Sequence, residues 1–167
     1  MNAYLGVDPG LSGAIAIIID QPPYSTKIKI LPTPVAGKEI DVQAIIDFIN
    51  LWLPDDPLFG RVNTVAYIEK VGAFPGQGVS SMFKFGFTTG VMHGIIRTLG
   101  IPLYTVTPQA WKKEILSGTD KSKQAAIDYC LRAYPDVKLF RTERSKTYDD
   151  GLADALCIAE YAKKKHS

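Results

Sequence analysis

The 167-residue sequence predicts an α/β fold, a mixed five-stranded sheet flanked by α-helices. Two observations predict it. Short apolar segments separated by turn residues open the chain, as in a meander of strands. After them, apolar runs of strand length alternate with segments of helical periodicity, as in a sheet covered by helices. Residues 1–167 read as a single domain, because no internal repeat or long linker divides them.

The elements follow in order. Tyr4–Val7 is a short apolar strand ending at Asp8, and Pro9-Gly10-Leu11-Ser12-Gly13 is a turn. Ala14–Ile19 is Ile-rich and completes a hairpin. Lys27–Leu31 alternates lysine with Ile or Leu, the period of a half-buried third strand. Residues 32–38 read as loop. Asp41 caps a helix running to about Leu53, with Ile45, Ile46, Phe48, Ile49 and Trp52 at helical spacing. Thr64–Ile68 is a buried strand ending at Glu69, followed by a Gly/Pro loop over 71–78. Ser80–Leu99 is a long helix carrying Gly86, Gly90 and Gly94, which predict close packing against a neighbouring element. Pro102–Val106 is the fifth strand. Thr107 caps a helix with Pro108 at its first position. Asp120–Ala133 reads as a further helix, 136–148 as an exposed basic loop, and Asp149 or Asp150 opens a last helix through Lys163.

Composition narrows the class. Hydrophobic residues make up 46% and charged residues 22% of the chain, an ordinary globular balance. The longest apolar runs are too short to cross a bilayer. The N-terminus lacks a basic region and an apolar stretch of signal length, so a cytoplasmic location is expected. Cys130 and Cys157 sit in apolar helical contexts and read as buried, reduced thiols. No Cys/His spacing suggests zinc. The net charge of +2 is unevenly spread. Residues 1–83 hold 5 Lys/Arg against 8 Asp/Glu, a net −3, and residues 84–167 hold 14 against 9, a net +5. A basic second half can supply phosphate contacts, although charge alone is equally met by a solvated surface.

The chemistry lies in the carboxylates. Asp8 and Glu69 each end an apolar strand, and Asp150 and Asp154 lie at the start of an apolar helix. Singly, each has a plain structural explanation: Asp8 as a turn residue, Asp150 as a favourable charge at a helix start, Asp154 as a surface charge. Together they point elsewhere. Asp154 is flanked by Leu152, Ala153, Ala155, Leu156 and Ile158. A spacing of four places Asp150 about 40° from Asp154 around the helix, whereas Asp149 falls about 140° away. Strand ends and one helix face can converge at a sheet edge, and clustered buried carboxylates need a cation to stay ionised. All-oxygen ligation suits Mg²⁺ or Mn²⁺. Two such ions about 3.5–4 Å apart clamp an in-line phosphoryl displacement. No Ser/His/Asp arrangement competes, since His93 stands alone on a helix and His166 falls in a tail expected to fray.

The chain resembles the RuvC-like Holliday junction resolvases of the ribonuclease H and integrase superfamily. The anchors are Gly6-Val7-Asp8-Pro9-Gly10, Ile68-Glu69 and Asp150-Gly151-Leu152-Ala153-Asp154-Ala155-Leu156. Thr107 to Lys112 and Asp120-Lys121-Ser122-Lys123 also look like family segments. The resemblance implies a ribonuclease-H-like endonuclease and a homodimer that binds a four-way DNA junction and nicks two opposing strands. It implies that Asp8, Glu69, Asp150 and Asp154 are catalytic and hold two Mg²⁺ ions, with Mn²⁺ as a substitute. It also implies that Lys112 and Lys121 contact DNA, that Phe74 wedges into the opened junction, and that Ser80–Leu99 is the dimer helix. One departure stands out. In typical bacterial members the last two ligands are three residues apart, but the residue three before Asp154 is Gly151, so Asp150 fills the role. That spacing looks more like phage-type members.

Three other functions compete. A nuclease of the same superfamily acting on flaps or RNA–DNA hybrids would show the same carboxylates. A non-catalytic junction binder would have no need to retain all four. An actin-like ATP-binding fold needs two domains, for which the chain is too short.

Overall fold

In the computed structural model, residues 1–167 are described except 22, 24, 25, 57, 59, 71, 73–75 and 77. The expected hairpin forms from β1 (Asn2–Asp8) and β2 (Ala14–Asp20), and β3 (Lys27–Pro32) continues the meander. Two short ladders flank the first helix: β4 (Val35–Ala36) with β5 (Glu39–Ile40), and β6 (Asp55–Asp56) with β7 (Gly60–Arg61). Between them runs α1 (Val42–Trp52), capped as expected by Asp41, whose carboxylate accepts from Ala44 N at 3.0 Å. The first ladder lies partly in a stretch read from sequence as loop. There follow β8 (Asn63–Glu69), α2 (Val79–Thr98), β9 (Leu103–Val106), α3 (Pro108–Ile115), α4 (Lys123–Ala133) and α5 (Asp150–His166).

The main sheet has the order β3-β2-β1-β8-β9. The β1–β2 and β2–β3 pairs are antiparallel, and β1–β8 and β8–β9 are parallel. It is the predicted mixed five-stranded sheet, with helices on both faces. Successive side chains of a strand point to opposite faces. In β2, Ala14, Ala16 and Ile18 enter the core beneath α3, α4 and α5, and Ile15, Ile17 and Ile19 enter the core beneath α1 and α2. Burial on both faces explains why this strand reads as an unbroken apolar run. Each fully buried Ile contributes about 1.5–3 kcal/mol of transfer free energy.

Four sequence expectations are corrected. The helix expected from Asp120 begins at Lys123, because Lys121 adopts φ 58° and Ser122 is the cap, its hydroxyl accepting from Ala125 N at 3.2 Å. Among the described residues, the Gly86, Gly90 and Gly94 row does not serve close packing: a Cβ built on any of the three glycines meets none of their atoms within 4 Å. The last helix runs past Lys163 to His166. Its end is not left to fray, since His166 Nε2 lies 3.3 Å from Tyr67 Oη and the His166 ring packs on Tyr67 and Tyr104. Cys130 and Cys157 are buried free thiols, as expected, with their sulfurs 3.7 Å apart. Among the described residues no helix is long and apolar enough to cross a membrane.

Candidate active site

Register brings the first two carboxylates together. Val7 pairs with Ile68 in the parallel β1–β8 ladder, so Asp8 and Glu69 follow side by side at the carboxyl ends of the two strands. Val7 and Ile68 face the α1/α2 core. By alternation, Asp8 and Glu69 face the opposite side, where α5 lies. The carboxyl edge of parallel strands is where open α/β sheets hold their ligands.

The helix half of the site is brought in by one close approach. A Cβ on Gly6 would lie 2.1 Å from Ala155 O and 2.2 Å from Ala159 N. The α5 backbone therefore rests directly on β1, which only glycine permits. Nearly every side chain in the first turns of α5 is buried, including Leu152, Ala153, Ala155, Leu156, Cys157 and Ile158. Asp154 stands among them half-buried, and its Oδ1 is shielded from solvent without a hydrogen-bond partner. Asp149, the weaker candidate from helix geometry, is the N-cap: its carboxylate accepts from Leu152 N at 3.1 Å.

The electrostatics tie the four groups together. Burial pushes Asp8 up to about 8, and the neighbouring charges of Glu69, Asp154 and Asp150 add to the rise while Arg141 opposes it. Burial also raises Asp154, to about 6, against the pull of Lys112 and Lys123 and with the push of Glu69 and Asp150. Asp8 thus feels the other three carboxylates, and Asp154 feels Glu69 and Asp150. Two of them are also engaged by other partners. Glu69 Oε1 accepts a hydrogen bond from Trp111 Nε1 at 2.7 Å, and Asp150 pairs with Lys123. Among the described residues no three acidic, His or Cys side chains already form a tight cage. A divalent cation is what would draw such groups inward. The donor set fits a hard cation: it is all carboxylate oxygen, with an orphaned buried atom on Asp154.

The basic residues divide. Lys112, in α3, lowers Asp154 by its charge, and its ammonium lies 5.2 Å from the Trp111 ring centre. Lys121 is exposed in the turn before α4. Lys123, two residues on, pairs with Asp150 and is held above its ordinary value by Asp150, Asp154 and Asp8. The resemblance singled out Lys121 in the segment Asp120-Lys121-Ser122-Lys123, and Lys123 was not named. Trp111 was also missed as a working residue. Its signal was an indole in a short polar helix, fully buried with its N–H needing a partner. Phe74 lies outside the described residues.

The shifted carboxylates predict a pH effect. Without metal, the folded protein keeps Asp8 protonated up to about pH 8, while the unfolded chain ionises near 3.8. The unfolded state therefore binds fewer protons in this window, and stability falls as pH rises from about 4 to about 8. Asp154 adds to the fall up to about 6. Divalent cation requires the ionised carboxylates, so its binding releases protons and strengthens as pH rises. Thermal melts in chelator and in Mg²⁺ between pH 5 and 9 should show a falling curve in chelator, with the Mg²⁺ increment growing toward pH 9. Asp8→Asn should flatten both. A chelator curve flat in pH would refute the buried-acid account.

No known protein family's sequence description matches the chain, and no curated protein matches it. Solved structures do. The chain is similar to Thermus thermophilus RuvC in complex with a Holliday junction substrate, at TM-score 0.64 and 14% identity, over 94% of this chain and 90% of that one. It is similar to the fowlpox virus resolvase bound to its substrate Holliday junction DNA, at TM-score 0.54 and 14% identity, over 98% and 99% of the two chains. It is also similar to the yeast mitochondrial Holliday junction resolvase, at TM-score 0.58 and 12% identity, over 93% and 75%. At these identities the likeness is one of fold. The chain has the ribonuclease-H-like fold of the RuvC-like resolvases.

Proposed function

We propose that the protein is a metal-dependent endonuclease that resolves four-way DNA junctions by paired, symmetric nicks. The observation that carries this reading is the convergence of Asp8 and Glu69, on adjacent parallel strand ends, with Asp154 and Asp150 on the helix packed against them. Three of the solved structures to which the chain is similar are junction resolvases, two of them with junction DNA.

Asp8, Glu69, Asp150 and Asp154 would hold two Mg²⁺ ions, or Mn²⁺, which when bound supply an acidified water and charge stabilisation for in-line phosphodiester hydrolysis. The chain's own residues prepare that site. Trp111 fixes one oxygen of Glu69 and leaves the other free to turn inward. Lys123 holds Asp150 at the rim, where it remains reachable from solvent. Lys112 and Lys123 bring positive charge beside the carboxylates, so a phosphate can approach an otherwise acidic site. Lys121 and the basic loop residues Arg144 and Lys146 are exposed and available to more distant phosphates.

A paired cut needs two matched sites, which a twofold homodimer supplies. The face of α2 supports that assembly: its open Gly86, Gly90 and Gly94 row lies beside exposed Phe83 and Phe87. A neighbouring backbone can approach such a row closely. The wedge role that the resemblance gives Phe74 belongs to the same proposal, a side chain replacing lost base stacking at the crossover.

The test is a cleavage panel of four-way junction, flap, RNA–DNA hybrid and linear duplex, with and without Mg²⁺. Expected is Mg²⁺-dependent cutting of the junction at symmetric positions, with the linear duplex resistant. Preferential cutting of flap or hybrid would move the protein to another nuclease of the same superfamily. Tight junction binding with no cutting in Mg²⁺ or Mn²⁺ would make it a binding protein.

A further inference from the structure

Arg141 lies in the loop read from sequence as uniformly exposed and basic, but its guanidinium is turned inward. Nε donates to Asp149 Oδ2 at 2.5 Å, and Nη2 donates to Asp149 Oδ1 at 2.9 Å. The same Nη2 also reaches the β1–β2 turn, donating to Ser12 O and to Gly13 O, the latter at 3.3 Å. One planar group thus joins the turn that follows Asp8 to the N-cap that precedes Asp150.

The surroundings make this bracket rigid. The loop is closed at its base by Asp149 N donating to Leu139 O at 2.8 Å, with Leu139 fully buried. The Phe140 and Tyr148 rings pack 4.8 Å apart between centres, on either side of the loop. Gly151 sits in the angle. A Cβ there would lie 2.6 Å from Ser12 O, 3.2 Å from Asp149 Oδ1 and 3.3 Å from Arg141 Nη2. The turn, the cap and the guanidinium are therefore in direct contact, with no room for a side chain between them. This also gives a physical reason for glycine at 151 and for an acidic residue four, rather than three, before Asp154.

We propose that Arg141 is a positioning residue of the metal site. Its side-on pairing with Asp149 and its bonds to the Ser12 and Gly13 carbonyls set the separation between Asp8 on the sheet and Asp150 and Asp154 on α5. The inference rests on the metal-site reading above. A guanidinium is suited to the task because its fork engages a carboxylate side-on while a remaining N–H points elsewhere, which a lysine ammonium cannot reproduce in a fixed plane. Partners that orient metal ligands typically change metal affinity by about 10–100-fold when removed. Nε and Nη2 of Arg141 are already engaged by the protein, which leaves only Nη1 for a phosphate, and junction binding measured in parallel separates that role from metal binding.

The experiment is a calorimetric titration of Mn²⁺ into DNA-free protein, well below its melting temperature, for wild type, Arg141→Ala, Arg141→Lys, Asp149→Asn and Asp8→Asn. Junction binding in chelator is measured in parallel. Asp149→Asn keeps a side-chain oxygen for the cap while removing the paired charge, so it serves if Arg141→Ala fails to fold. Expected is Mn²⁺ affinity weakened about tenfold or more in Arg141→Ala, clearly weakened in Asp149→Asn, not restored by lysine, and junction binding in chelator unchanged. Wild-type Mn²⁺ affinity in the folded Arg141 and Asp149 variants would overturn the inference, even if their melting temperatures fall. Full restoration by lysine would overturn it too, since charge alone would then suffice. Weaker junction binding with normal Mn²⁺ affinity would make Arg141 a phosphate contact. If wild-type Mn²⁺ binding does not depend on Asp8, the metal-site reading itself fails. Asp8-dependent binding indifferent to Arg141 defeats only the present inference.

Discussion

Asp8→Asn, Glu69→Gln and Asp154→Asn are each expected to lower junction cleavage by at least about 10³-fold, the upper end of what losing one electrostatic contact to a developing charge costs. Junction affinity in chelator should stay near wild type, because the basic residues around the site are untouched. Stability should move the other way. Asp8 is held up at about 8 by burial and by three acidic neighbours, so near neutral pH the metal-free fold must keep it protonated while the unfolded chain ionises it, a strain on the folded state. An amide of the same shape removes that strain. Asp8→Asn should therefore melt higher than wild type in chelator at pH 8 while being inactive in Mg²⁺. Loss of activity through misfolding cannot produce that combination. Asp150→Asn should show a smaller loss of activity, since Asp150 is half-exposed and already paired with Lys123. A variant at Asp8, Glu69 or Asp154 that nicks junctions at near wild-type rates would remove that residue from the site.

The second large effect is expected from a residue with no side chain. Gly6→Ala places a methyl group 2.1 Å from Ala155 O and 2.2 Å from Ala159 N. No rotamer relieves that overlap, because the atoms met belong to the α5 backbone. The helix must lift from β1, and overpacking of this kind costs about 3 kcal/mol or more. Lifting α5 also carries Asp154 away from Asp8. Urea denaturation should show a lower midpoint with little change in slope, and cleavage should fall even where the variant remains folded. Raising Mn²⁺ should recover part of that loss if the ligands are merely displaced. A Gly6→Ala protein with wild-type midpoint and activity would mean that α5 does not pack on β1 as described.

Local physics made much of this protein legible from its sequence. The strand composition of Ala14–Ile19, the Asp41 cap and the Thr107-Pro108 helix start depend on a few adjacent residues, and each lies where the sequence put it. Asp8 and Glu69 could be picked out because each ends an apolar run, and Asp150 and Asp154 because helical spacing puts them on one face. Where local signals conflicted, the reading slipped. Lys121 looks as helical as its neighbours, but its positive φ and the Ser122 cap move the start of α4, and so bring Lys123 to the site.

Only the tertiary structure decided which of these pieces meet. Parallel pairing of β1 with β8 joins residues sixty-one positions apart and makes Asp8 and Glu69 neighbours. The contact of α5 with Gly6 spans a still longer stretch of chain. Arg141 reaches back to Ser12 and Gly13 across more than a hundred residues. The open glycine row on α2 had the pattern of an internal packing face and turned out to face outward. Periodicity and capping are settled within a turn or two of chain, so one sequence displays them. Register between distant strands, the approach of a helix to a sheet and the direction of a long side chain follow from the packing of the whole core, and no short window of sequence contains it.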